Sequence, residues 1–316
     1  MNDFLNYLLL GLTRGSMYAV IALGYTLVYG VLQLINFAHS EVFMSGAFAS
    51  YLAVTRFVKE GDRPAWYIVV ALILMGLLVG AAVGAAVAWT LERVAYRPLR
   101  RRGAPKLAFL ISAIGASFFL SQLAGKMFNR LTSNTFPEYF NRDKAVISVG
   151  GVNLTLIQAI VIGSAVVMMI FLDRLVSGTK LGRAIRGVAE DAPTAALMGI
   201  DIDKTISRTF MIGGALGGAA GFLFGTQLVF GNTMGFIPGV KAFAAAVLGG
   251  IGNIRGAMLG GLLLGVVESL VPTFPWWHES GWVGQQWTDV VAFVILVMVL
   301  LFRPSGILGE RLGRAA

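Results

Sequence analysis

WYIVVALILMGLLVGAAVGAAVAWTLERVAYRPLRRRGAPK, residues 66–106, places two signals back to back. Trp66 to Leu91 carries no charge over 26 residues, against the ~20 apolar residues that take a helix across a bilayer. Glu92 to Lys106 then sets Arg93, Arg97, Arg100, Arg101, Arg102 and Lys106 against a single acid. Basic residues flanking a membrane span mark its cytoplasmic end, so this loop fixes the direction of the chain. Because the apolar run is continuous rather than alternating, it reads as a helix and not as a strand of a transmembrane barrel. Gly76, Gly80 and Gly84 recur every four residues, the spacing that lets helices approach closely in lipid. They are read as a packing surface with no substrate role.

Outward from this stretch the pattern repeats. Of 316 residues 57% are apolar and 13% charged, where soluble domains carry roughly 25% charged residues. The chain reads as one all-α, polytopic membrane domain over residues 1–316. Ser16 to Ile35, Val42 to Val58, Leu107 to Phe128, Leu156 to Leu172, Ile206 to Phe230, Ala257 to Val271 and Trp287 to Phe302 are further spans, with Phe243 to Ile251 a short one. Residues 4–14 read as interfacial or as the outer end of the first helix. The count is about eight crossings with the N-terminus outside and the C-terminus inside. The opening MNDFLNYLLLGL lacks a basic n-region and a cleavage site, so the N-terminus is expected to be retained.

The remaining composition excludes several chemistries. With no cysteine there is no disulfide, thiol nucleophile or Cys-ligated metal, and His39 and His278 are too few and too far apart for a metal site. No cofactor is expected. The net charge of +9 sits in cytoplasmic loops and is a topology signal rather than a mark of nucleic-acid binding. There is no phosphate-binding loop, nucleophile elbow or zinc-protease helix, so ATP hydrolysis and other catalysis belong elsewhere.

Outside the membrane, residues 129–153 form the longest polar stretch on the far side. In it Ala145–Val149 and Val152–Leu156 flank Gly150 and Gly151, a β-hairpin signal. Trp276, Trp277, His278 and Trp282 mark an aromatic loop at the outer interface. On the cytoplasmic side, Thr179 to Ile200 is a polar interruption within the segment 177–205. Leu181, Ala184, Ile185 and Val188 recur at helical spacing, with Arg183, Arg186 and Glu190 on other faces, which predicts a short amphipathic helix. Asp191 then caps a second helix through Ala195 and Leu197, and Gly199 supplies a left-handed stop. The segment is either a solvated loop or a docking surface for another protein.

Two more stretches combine polar residues with apolar surroundings. Ile35 to Glu41, INFAHSE, is a surface loop or a discontinuous helix lining a pathway, since Asn36, His39 and Glu41 are costly at membrane depth unless they face protein or water. Asn232 to Lys241, NTMGFIPGVK, is similar: a polar loop with two glycines and a proline that breaks the helix and re-enters the apolar phase, or, as its own residues slightly favour, a short external turn. As a hypothesis, a substrate path runs along Asn36, His39 and Glu41 with Gly235, Pro238 and Lys241.

Three stretches, GSMYAVIALGYTLVYGVLQLINFAHSEVFMSG at 15–46, GRAIRGVAEDAPTAALMGI at 182–200 and GFIPGVKAFAAAVLGGIGNIRGAMLGG at 235–261, closely resemble the permease subunits of branched-chain amino-acid ABC importers of the LivH type. The resemblance covers nearly the whole chain in order. It implies a type II importer-like permease that forms a translocation path, together with a second, homologous permease in a heterodimer, two ATP-binding subunits and an external solute-binding protein, in the bacterial cytoplasmic membrane. It also implies that the segment after the fifth crossing contacts the ATPase, through Gly182, Arg183, Arg186, Glu190, Asp191, Ala195, Leu197, Met198 and Gly199. The chain departs from the family pattern at Ser40, at Asn253-Ile254-Arg255 and at Arg14. Similar members handle leucine-type amino acids, other amino acids or amides, and urea, and a stand-alone channel or secondary transporter is the rival class.

Overall fold

Membrane helices associate through close packing rather than through the hydrophobic effect, so the fold is best followed along its small residues. The computed structural model describes residues 2–57, 65–128, 135–137, 145–149, 152–271 and 287–309. The first helix, α1 (Asn2–Leu32), is continuous through residues 4–14 and is 31 residues long. It stops where Gln33 takes a φ of 53°, the left-handed region that interrupts a helix. After the reversal at 33–38 the chain enters α2 (His39–Phe57). Next, α3 (Trp66–Leu91) runs through a π-helical turn (Glu92–Tyr96) into α4 (Arg97–Arg101), so most of the basic loop is helical.

The chain returns through α5 (Lys106–Met127) to the strands β1 (Ala145–Val149) and β2 (Val152–Thr155). The strands pair antiparallel with Val149 opposite Val152; Gly150 and Gly151 lie outside the described residues. A capping box between Thr155 and Gln158 starts α6 (Leu156–Gly178). Two short helices follow, α7 (Lys180–Glu190) and α8 (Ala192–Leu197), before α9 (Ile202–Gln227). Asp201 caps α9, and the Lys204 amide that it accepts holds its carboxyl below the usual carboxylate range. The last helices are α10 (Phe236–Gly249), α11 (Ile254–Leu270) and α12 (Thr288–Phe302). Most of residues 129–144, the short loop 58–64 and the aromatic loop 272–286, with Trp276, Trp277, His278 and Trp282, fall outside the described residues.

Helices α1 and α9 form the interior: 83% of each apolar window is buried, against 17% for α5 and 28% for α3 and α6, which lie at the outside of the bundle. The glycine stripes explain how α9 can be central. A Cβ on Gly218 would overlap the Gly80 carbonyl, and one on Gly214 would strike Gly84 and Ala88, so α3 and α9 meet backbone to backbone. The neighbouring stripe on α9 serves other helices: Gly213 faces Gly24 of α1, Gly217 faces His39, and Gly221 faces Phe43 of α2. On its other side α1 meets α11, with Gly15 against Gly265 and Ala19 against Gly261. Among the described residues five helices, α1, α3 with its extension, α5, α6 and α9, are long and apolar enough to cross a membrane by themselves, while α10 and α12 are shorter apolar helices.

One expectation is corrected. Residues 236–241 are not an external turn but the first turns of α10, in which Pro238 and Lys241 are buried. Proline is tolerated in a first helical turn, where its missing N–H has no intrahelical partner to lose. At the other end of α10, Gly250 has a φ of 112°. There the Ile307 and Leu308 amides donate to the carbonyls of Leu248 and Gly249, each at 2.9 Å.

Candidate substrate path and coupling surface

A helix that begins inside an apolar bundle must leave polar groups there. The break before α2 does so: Asn36, His39 and Glu41 are 2%, 1% and 3% exposed, so the stretch is an interior discontinuity and not a surface loop. Asn36 Oδ1 accepts from the Ala38 amide at 3.1 Å and from the Tyr96 hydroxyl at 2.9 Å. The His39 ring stands edge-on to Tyr25, with centroids 4.8 Å apart. Glu41 Oε1 accepts from Ser117 of α5 at 3.2 Å and from Ser40 at 3.4 Å. Asn36 Nδ2, His39 Nε2 and Glu41 Oε2 are buried without a partner among the described residues. Three unsatisfied polar atoms in one stretch cost several kcal/mol together, by the ~1–3 kcal/mol of each lost bond, and such groups in membrane proteins sit at pathways.

Helix α10 joins this break to a second polar site. Gly235 lies against the Ser40 carbonyl and Glu41, and a Cβ on Gly239 would stand 3.3 Å from the Tyr25 hydroxyl. One turn further, Pro238 and Lys241 line a cavity of about 250 Å³ between α1, α9, α10, α11 and α12. The six residues of the sequence-based path therefore divide between two adjoining sites. Lys241 Nζ lies 2.9 Å from Glu268 Oε1 and 2.7 Å from Asp289 Oδ1, and Arg14 is 3.8 Å from Glu268. Arg14, a departure from the family pattern, thus has a carboxylate inside the bundle. Sequence reasoning passed over Tyr18, Glu268 and Asp289. Glu268 was legible, since an acid inside the apolar run LLLGVVESLV is itself a signal.

The segment after α6 has two distinct faces. Ile185 and Val188 are buried, and Gly182 packs so closely under α6 that a Cβ would overlap the Val176 carbonyl. The Arg186 guanidinium donates to that same carbonyl. Asp191 caps α8 by accepting from Thr194, Ala195 is buried beneath it, and Gly199 ends it with a φ of 83°. Arg183 and Glu190 remain exposed. Leu197 and Met198 project at the tip, 88% and 79% exposed. Nearby, Glu92 is fully buried and accepts from Arg97 at 3.0 Å, Arg100 at 3.2 Å and Ser207 at 2.6 Å. Arg100 and Arg101 extend the network to Asp203. Arg255 pairs with Asp173 at 3.1 Å, tying the start of α11 to the end of α6.

Residues 7–300 match the family model described as branched-chain amino acid transport system / permease component. The chain belongs to that permease family. It is 40% identical over 314 residues to the high-affinity branched-chain amino acid transport system permease protein LivH of Salmonella typhimurium, covering 97% of this chain and 96% of the relative. It is 42% identical over 311 residues to BraD of Pseudomonas aeruginosa, with the same shares covered. It is 27% identical over 297 residues to a probable LivH of Methanocaldococcus jannaschii, covering 93% and 89%. The permease is therefore of the LivH/BraD type, a multi-pass protein of the bacterial cytoplasmic membrane and a transport component rather than an enzyme. Among its described residues no three His, Cys, Asp or Glu side chains gather as a metal site.

Proposed function

We propose that this permease forms half of the translocation path of an ATP-driven, binding-protein-dependent importer of branched-chain amino acids. Its partners are a second, homologous permease in a heterodimer, two ATP-binding subunits and an external solute-binding protein. The substrate runs past Asn36, His39 and Glu41 and along the α10 face of Gly235, Pro238 and Lys241. The observation that carries this reading is the break before α2, where three polar side chains are buried with unpartnered atoms.

Both basic loops lie in the cytoplasm, with the N-terminus outside and the C-terminus inside. Opposite ends require an odd number of passes. The eight longer helices α1, α2, α3, α5, α6, α9, α11 and α12 meet that condition once α10 is counted as a ninth, short pass, its 14 residues reaching about 21 Å at ~1.5 Å each. The α7–α8 pair is the coupling surface. Its inner face is fixed to α6, and Leu197 and Met198 are free to enter a cleft on the ATP-binding subunit, where each buried apolar side chain contributes about 1.5–3 kcal/mol. Arg183 and Glu190 stand at its rim, where charges set orientation more than affinity.

The test is ATP-dependent uptake of labelled leucine by the assembled complex in proteoliposomes, with its binding protein supplied. Uptake without ATP or without the binding protein would refute the importer in favour of a channel or secondary transporter. Asn36→Ala and Glu41→Ala should each lower uptake while the subunits still co-purify; the parental rate in both removes these residues from the path.

A further inference from the structure

The charged cavity carries more than a place on the path. A purely structural ion-pair cluster has its polar atoms satisfied and its volume filled, because burying charges is costly unless every lone pair is met. Here neither condition holds. Glu268 is 6% exposed, and its Oε2 has no hydrogen-bond partner among the described residues. About 250 Å³ stays open beside it, room for one small solute where drug-sized pockets take ~300–1,000 Å³.

The four charges are two of each sign. Lys241 is 8% exposed, bridges Glu268 and Asp289, and lies 5.8 Å above the Tyr18 ring. Arg14 stands beyond Glu268, partly exposed. Apart from Thr288 the remaining wall is largely apolar, with Met17, Phe224, Leu228 and Ile237. A ligand of net charge would upset this balance, whereas one carrying both signs a few bonds apart can exchange with it.

We propose that this cavity binds an α-amino acid as its zwitterion, the carboxylate at Lys241 and Arg14, the ammonium at Glu268 Oε2, and the aliphatic side chain against Met17, Phe224 and Ile237. The inference rests on amino acids being the transported solute, and it makes the permease itself a second point of recognition after the binding protein. A zwitterionic lipid headgroup offers the same two charges and is the other source to be separated.

The assembled complex without its binding protein, in nanodiscs of phosphatidylglycerol alone, is examined by saturation-transfer NMR with three probes. These are L-leucine, 4-methylpentanoate, which lacks the ammonium, and isopentylamine, which lacks the carboxylate. Leucine methyl signals should exceed those of either analogue at least fivefold and fall to the analogue level in Glu268→Gln. Ile237→Trp fills the cavity from a side chain that is 59% exposed, and should abolish the leucine signal without touching an ion pair. Equal signals from the three probes, or a leucine signal undiminished in both variants, overturn the proposal. So does displacement of leucine by added phosphatidylethanolamine, which would assign the cavity to lipid. Leucine uptake by the wild-type complex in proteoliposomes, with ATP and the binding protein supplied, separates the two readings. Uptake without selective binding sinks this inference alone; absent uptake sinks the import reading beneath it.

Discussion

The Tyr96 hydroxyl donates to Asn36 Oδ1 across 2.9 Å, joining the π-helical turn below α3 to the break between α1 and α2. Tyr96 is 1% exposed and Asn36 2%. The turn that ends α3 thereby holds the polar stretch that opens α2. Asn36 Oδ1 also takes the Ala38 amide, so the two substitutions differ in what they strand. Tyr96→Phe removes one bond and should cost about 0.5–1.5 kcal/mol. Asn36→Ala leaves two buried donors unmet at about 1–3 kcal/mol each. Thermal unfolding in detergent should rank Asn36→Ala clearly below Tyr96→Phe; the reverse order would mean that this bond does not organise the break.

Glu92 is the hub of the ion-pair network at the end of α3, with no exposed side-chain surface and two arginines on it. Glu92→Gln keeps the shape but leaves Arg97 without its carboxylate and Arg100 with Asp203 alone, and breaking a buried pair from one side costs about 3–5 kcal/mol. Asp203→Asn, further out at 30% side-chain exposure, should cost under about 1 kcal/mol. The melting temperatures of the two variants decide the matter, and a similar fall in both would deny Glu92 its central place.

The contact of α3 with α9 gives a sharper steric prediction. Gly218→Ala places a methyl group on the Gly80 carbonyl and should abolish folded protein, since a backbone cannot yield as a flexible side chain can. Gly163 on α6 has nothing within 4 Å of its missing Cβ. Gly163→Ala should be neutral or stabilising by up to ~1 kcal/mol, through helix propensity alone. Size-exclusion profiles of the two variants make the comparison.

Leu197→Glu puts a charge at the most exposed point of α8. It should leave the membrane domain folded while substrate-stimulated ATP hydrolysis falls at least tenfold in the reconstituted complex. Crosslinks that capture the ATP-binding subunit from residues 92–106 but never from 182–200 would move the coupling surface to the other loop.

Continuous apolar runs were enough, by themselves, to determine a polytopic helical protein, because that signal is local and set by the bilayer. The amphipathic rhythm of Leu181 to Val188 and the capping residues Asp191 and Gly199 were legible for the same reason. What the path residues do was not. Residues 232–241 read as a turn in isolation, since Pro238 and two glycines favour one, and only the carboxylates of Glu268 and Asp289 make burial of Lys241 tolerable. Arg14 and Glu268 are 254 positions apart by number, and no local pattern links them. The depth at which Asn36, His39 and Glu41 lie was likewise a tertiary matter, decided by where Gly24, Gly217 and Gly235 leave room for them.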